Sequence, residues 1–83
     1  MVKNATEKEV LTLNGWIFKL ASSPNAARTA IKAINSYFGA TLNGEINEKE
    51  FGKLTLKKLA GITGIGPKSF VLLVQAYQAY VTQ

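Results

Sequence analysis

The sequence predicts an all-α domain, a compact bundle of four to five short helices, and three observations carry that expectation. Apolar residues recur at three- and four-residue spacing in the longer segments, while no segment alternates apolar and polar residues cleanly enough for a strand. Ser, Thr, Asn and Pro stand where helices should start, and glycines stand where they should stop. The chain has 83 residues, 47% apolar and 18% charged, and shows no linker, repeat or low-complexity tract, so a single domain over 1–83 is expected.

Thr6-Glu7-Lys8-Glu9 has the form of a capping box, and Val10, Leu13, Ile17 and Leu20 follow at helical spacing. A first helix is therefore expected from about residue 7 to 21. Leu11, Trp16 and Phe18 widen its apolar surface beyond one stripe, which predicts deep burial in so small a core. Ser23-Pro24 supplies a cap and a first-turn proline for a second helix that should continue to Phe38, before Gly39, burying Ala27, Ile31, Ile34 and Phe38. Asn25, Arg28, Lys32 and Asn35 fall together on the flank beside that stripe, a candidate surface for an anion.

Asn43-Gly44 marks a turn, and Asn47 with Glu50 three residues on marks a one-turn helix near 48–52. Thr55 caps another short helix that should end near Gly61. The last helix opens at Pro67 and should bury Phe70, Leu73, Val74, Tyr77, Tyr80 and Val81, with Lys68 and Gln75 on its opposite side. Tyr77 and Tyr80 share a face with Leu73 and Val74, so they read as core and not as a base-stacking platform. Val71 and Leu72 fall off the stripe; with Trp16 or Leu11 they would make an apolar patch suited to a protein partner.

The chain contains no Cys, no His and no Asp, which removes much site chemistry. Disulfides, Cys/His zinc sites, and Ser-His-Asp or Cys-His nucleophiles cannot be assembled. The five glutamates fall in two clusters, Glu7/Glu9 and Glu45/Glu48/Glu50, where helix starts normally carry them. A binding protein, and not an enzyme, is expected, with no cofactor, no metal and no small-molecule substrate. No apolar run approaches the roughly 20 residues that cross a bilayer. Met1 to Glu9 has no apolar block behind a basic start, so a cytoplasmic protein with no membrane partner is expected.

Net charge is +5, and from Lys53 onward the chain carries Lys53, Lys57, Lys58 and Lys68 but no acid. An anionic partner would favour that half. The same half holds the one stretch whose residue order points at a chemistry, Leu59-Ala-Gly-Ile-Thr-Gly-Ile-Gly-Pro-Lys-Ser-Phe70. Gly64 and Gly66 flank the apolar Ile65, so the backbone can turn sharply and expose its amides while Ile65 anchors the turn. Pro67 then opens a helix, and Lys68 places a charge beside its N-terminus.

The spacing of Leu59, Ile62, Gly64, Ile65 and Gly66 resembles the helix-hairpin-helix motif of DNA-binding and DNA-repair proteins, here over about residues 55–81. The resemblance implies non-sequence-specific binding, in which the Gly64, Ile65 and Gly66 backbone contacts phosphate oxygens and Lys68, with Ser69 beside it, adds charge and polarity. That family usually has a small residue where this chain has Phe70. Gly66-Pro-Lys-Ser-Phe70 is closer to the second hairpin of the C-terminal domain of the bacterial RNA polymerase alpha subunit, a DNA-backbone and activator-contact module. That domain's contacting Arg is matched by Arg28, but Ile31 stands where its Asn would be. Leu54-Thr55 followed by Gly61-Ile-Thr-Gly-Ile-Gly-Pro-Lys68 is also similar to a helix junction of SAM domains, which mostly bind other proteins; Ala60 replaces the apolar residue usual there. Separately, Gly44, Ile46 and Glu50 resemble the second half of an EF-hand calcium loop, but Gly39 and Thr41 stand where its first carboxylates should be, leaving too few oxygen ligands.

The expectation is thus a DNA-binding module that grips duplex backbone through Gly64, Ile65, Gly66, Lys68 and Ser69, assisted by Lys57, Lys58, Arg28 and Lys32. Neutralising about four phosphates would give a slope of log affinity against log salt near -3.6. The alternative is a protein-interaction adaptor.

Overall fold

The computed structural model describes residues 10–83. Those residues form an all-α bundle in the order α1 (Leu13–Leu20), α2 (Pro24–Phe38), α3 (Glu48–Phe51), α4 (Leu56–Ala60) and α5 (Pro67–Thr82), with no strand among them. α1 and α5 run antiparallel and pack on each other, and both lie against α2. The shared core takes Leu13 and Ile17 from α1, Ala27, Ala30, Ile31 and Ile34 from α2, and Leu72, Leu73 and Ala76 from α5. Ile46, Phe51, Leu59 and Ile62 close it from the short elements. Leu13, Ile17, Ile34 and Leu73 are fully buried, and each such side chain contributes about 1.5–3 kcal/mol.

Local chemistry sets most boundaries. Ser23 Oγ accepts the Ala26 amide at 3.2 Å and Pro67 and Pro24 open their helices, as expected. Asn47 Oδ1 accepts the Glu50 amide at 3.1 Å, and Thr55 Oγ1 accepts the Lys58 amide at 3.1 Å. α2 ends at Gly39 with φ 72°, where the Gly39 and Ala40 amides turn back to Ser36 O and Asn35 O at 3.1 and 2.8 Å. This pairing satisfies two of the carbonyls a helix leaves open at its C-terminus.

The first helix departs from expectation. The Thr6 to Glu9 box lies outside the described residues, but residues 10–12 are not helical and α1 starts at Leu13. Thr12 is the cap, its Oγ1 accepting the Gly15 amide at 3.0 Å. Two distant side chains hold this start. Glu48 Oε2 accepts the Leu13 amide at 2.8 Å, and the Gln83 amide group binds both the N–H and the C=O of Leu11, at 2.9 and 2.8 Å. Gln83 Oε1 also accepts the Trp16 indole N–H at 3.0 Å. Backbone groups that a longer helix would have paired are thereby satisfied from outside. Val10 is consequently 79% exposed instead of lying in the core.

Further burial expectations are corrected. Asn35 is fully buried, because its Nδ2 donates to Gly44 O at 2.8 Å and draws the 40–47 loop against α2. It therefore does not share the exposed flank of Arg28 and Lys32. Asn14 fastens the same loop from α1, its Oδ1 accepting the Ile46 amide at 2.8 Å. Leu72 is buried as well, since α1 and α2 press on α5 from two directions and widen its buried face, whereas Val81 at the end of the helix is exposed. Tyr77 and Tyr80 pack half-buried on the core, with Phe51 and Tyr77 rings 5.4 Å apart.

Candidate nucleic-acid interface

α4, the glycine turn and α5 form one continuous unit on the surface. Leu59 and Ile62 are its buried anchors, and the Ile62 amide bonds Leu59 O at 3.2 Å. α4 closes where the Gly61 amide is shared between Lys57 O and Lys58 O, at 3.2 and 3.1 Å. The Ile65 amide returns to Ile62 O at 3.1 Å, and the Ile65 side chain packs half-buried against the core. Ile65 therefore pins the turn through its side chain, and its amide is already occupied.

The two glycines serve different needs. Gly64 has φ 93°, a conformation that side chains with a Cβ rarely adopt, and it abuts α2: a Cβ there would lie 3.5 Å from Ala33 Cβ. Gly66 has an ordinary φ of -91°, and a Cβ there would meet nothing within 4 Å. Its lack of a side chain keeps open the approach to the start of α5.

That start is chemically unfinished. α1 to α4 each carry a side-chain oxygen on a first-turn amide, from Thr12, Ser23, Asn47 and Thr55. α5 has none, because Gly66 occupies the cap position. The Phe70 amide is the first in the helix with a backbone acceptor, Gly66 O at 2.9 Å. The amides of Gly64, Gly66, Lys68 and Ser69 find no acceptor among the described residues. Exposed N–H groups converging at the positive end of a helix dipole attract an oxyanion. Lys68 is exposed beside them and Ser69 is half-buried, with its hydroxyl on the same turn.

Lys57 and Lys58 are exposed on α4, immediately before the turn. Among the described residues neither they nor Lys68 has an acidic partner; the ion pair nearest in sequence joins Lys53 to Glu50 at 3.3 Å. That bond also occupies the carboxylate that would close an EF-hand-like loop, and no group of three or more acidic side chains gathers among the described residues.

Arg28 and Lys32 do not join this unit. Gly64 meets α2 at Ala33, which lies about 100–140° around the helix from Lys32 and Arg28. Those two instead line a separate hollow with Asn14, Phe18, Ile31, Leu42 and Asn43. The apolar patch expected from Val71, Leu72 and Trp16 or Leu11 does not form either, since Leu72 is buried and Trp16 and Leu11 are tied to Gln83 at the far end of α5. What the residue pattern did not reveal is a groove of about 540 Å³ between the α1–α2 corner and the first turns of α5. Leu20, Ala21, Ala26 and Val71 supply its apolar walls, and Lys68 and Ser69 lie along it. Its only sequence signal was the Ser22-Ser23-Pro24 break, which sets the corner but not what faces it.

No family model, curated protein or solved structure matches the chain. The functional reading therefore rests on the chemistry of the turn and on the charges around it. No helix among the described residues is long and apolar enough to cross a membrane.

Proposed function

We propose that the protein is a non-catalytic DNA-binding module that holds duplex backbone at the Gly64 to Lys68 turn without reading sequence. The observation that carries this reading is the uncapped start of α5, where the Gly66, Lys68 and Ser69 amides are left for an external oxyanion. Lys68 adds the countercharge, and Lys57 and Lys58 extend the cationic surface along the preceding helix. Contacts of this kind give affinity and position but no base discrimination. The resemblance of Leu59, Ile62, Gly64, Ile65 and Gly66 to the helix-hairpin-helix motif supports the same reading, as does the absence of acids after Glu50.

With Arg28 and Lys32 on another flank, about three phosphates are neutralised instead of four. The expected slope of log affinity against log salt is then about -2.7. Titration of a labelled duplex over a range of salt concentrations tests this. Lys68→Ala should weaken binding to unrelated duplex sequences equally and reduce the slope by about 0.9. Absence of binding at low salt would overturn the proposal.

A second reading, a protein-interaction adaptor, is favoured by the groove beside α5, where Leu20 and Val71 remain 42% and 50% exposed. An acidic amphipathic segment would suit its apolar walls and Lys68. Val71→Glu distinguishes the two: it should abolish such an association yet weaken duplex binding only modestly, through the added negative charge.

A further inference from the structure

The hollow around Arg28 and Lys32 has a composition of its own. It measures about 220 Å³, below the roughly 300–1,000 Å³ of sites for drug-sized molecules, so it suits one flat ring with its immediate substituents. Phe18 forms one wall and is 44% exposed, which leaves part of its ring open to a ligand. Arg28 and Lys32 lie one helical turn apart on α2, about 6 Å along its axis. Arg28 Nη2 donates to Asn25 Oδ1 at 2.9 Å, which orients the guanidinium and leaves its other N–H groups available. Lys32 is exposed and unpaired among the described residues.

Two amide side chains complete the wall. Asn14 Oδ1 is fixed by the Ile46 amide, so the Asn14 Nδ2 donors are held in place with no acceptor among the described residues. Asn43 contributes a second amide, able to donate and accept. No lining residue is acidic. An exposed ring, two cations beside it and fixed amide donors at its edge match the chemistry of a nucleotide: a π-face to stack, phosphates to neutralise, and a base edge with carbonyl and ring-nitrogen acceptors. An acidic peptide would satisfy the cations but would leave the ring and the amides unused. A duplex keeps its bases stacked and offers no free face to Phe18.

We propose that this hollow receives one unstacked base of a single-stranded nucleic acid, with Phe18 as the stacking ring, Asn14 and Asn43 at the base edge, and Arg28 and Lys32 on the adjoining phosphates. The site stands apart from the glycine turn and does not rest on it.

The test is binding of fluorescein-labelled oligo(dT) of eight nucleotides to the full chain at low salt, followed by anisotropy. Arg28→Ala/Lys32→Ala alters only exposed side chains and should lower affinity at least about tenfold, with the salt slope falling by about 1.4. Phe18→Leu keeps the apolar bulk but removes the stacking face and should cost at least about fivefold, while Phe18→Trp should restore binding. Lys49→Ala, an exposed lysine on α3, serves as the charge control and should stay within about twofold. Circular dichroism confirms that each variant is folded. The proposal is overturned if the oligonucleotide does not bind, if the double variant loses no more than the control, or if Phe18→Leu binds as tightly as the parent chain. Loss of oligonucleotide binding alongside a Lys68-dependent duplex interaction would refute this site and leave the turn reading intact.

Discussion

The Tyr80 hydroxyl donates a 2.7 Å hydrogen bond to Glu48 Oε1, while the other oxygen of the same carboxylate accepts the Leu13 amide at 2.8 Å. One acid thus ties α3 to the end of α5 and to the start of α1. It also places a negative charge at a helix N-terminus, where the dipole favours it.

Glu48→Ala should therefore destabilise the fold well beyond a surface substitution. Loss of a helix-start acceptor of this kind costs about 1–2 kcal/mol, which in a domain of this size lowers the melting temperature by about 4–16 °C. Thermal unfolding followed by circular dichroism measures it. An unchanged transition would show that residues 11–13 are held by Gln83 alone.

The same contact has a pH signature. The hydrogen bond to Glu48 raises the Tyr80 phenol above its ordinary value of 10.0, assisted by desolvation and by the charge of Glu48. Because the folded value lies above the unfolded one, the stability contribution is fully present below about pH 10 and is lost as pH rises through the raised value. Phenolate absorbance should show a component titrating late, and Tyr80→Phe should remove it. Its persistence in Tyr80→Phe would contradict the assignment.

The turn glycines should separate folding from binding. Gly64→Ala forces a Cβ into φ 93° and should cost about 1–2 kcal/mol or more. Gly66→Ala has an unstrained φ and open space, so stability should change by less than about 1 kcal/mol. Its methyl would nevertheless sit at the phosphate approach and weaken duplex binding. Urea denaturation and duplex titration of both variants check the pair.

Gln83 offers an optical test, because Trp16 is the sole tryptophan and its indole N–H bonds Gln83 Oε1. Gln83→Ala frees the indole and the Leu11 backbone together. Trp16 emission should shift to the red and quenching by iodide should increase. Equal quenching in both proteins would show that the indole does not depend on this contact.

Much of the fold was legible because its signals are local. Ser23, Asn47 and Thr55 each cap an amide three residues away, and α2 ends where the Gly39 and Ala40 amides reach carbonyls three and five residues back, respectively. The start of α1 was not legible, since Glu48 and Gln83 act on it from 35 and 72 residues away. Burial of Asn35 likewise depends on one carbonyl in a loop whose path the residue pattern does not specify. At the candidate site the glycine turn was readable from spacing, whereas the grouping of cations was not. A helical projection places Arg28 and Lys32 beside the buried stripe of α2, but it cannot say that Gly64 packs on the opposite flank, at Ala33.

Duplex DNA is proposed to dock on the α4–α5 turn. Amide chemical shifts of the isotope-labelled chain, followed during addition of a short duplex at low salt, test it most directly. Shifts concentrated at residues 62–70, with the Gly64, Gly66, Lys68 and Ser69 amides moving most, are the predicted result. A silent turn, or shifts gathered elsewhere on the surface, would contradict it.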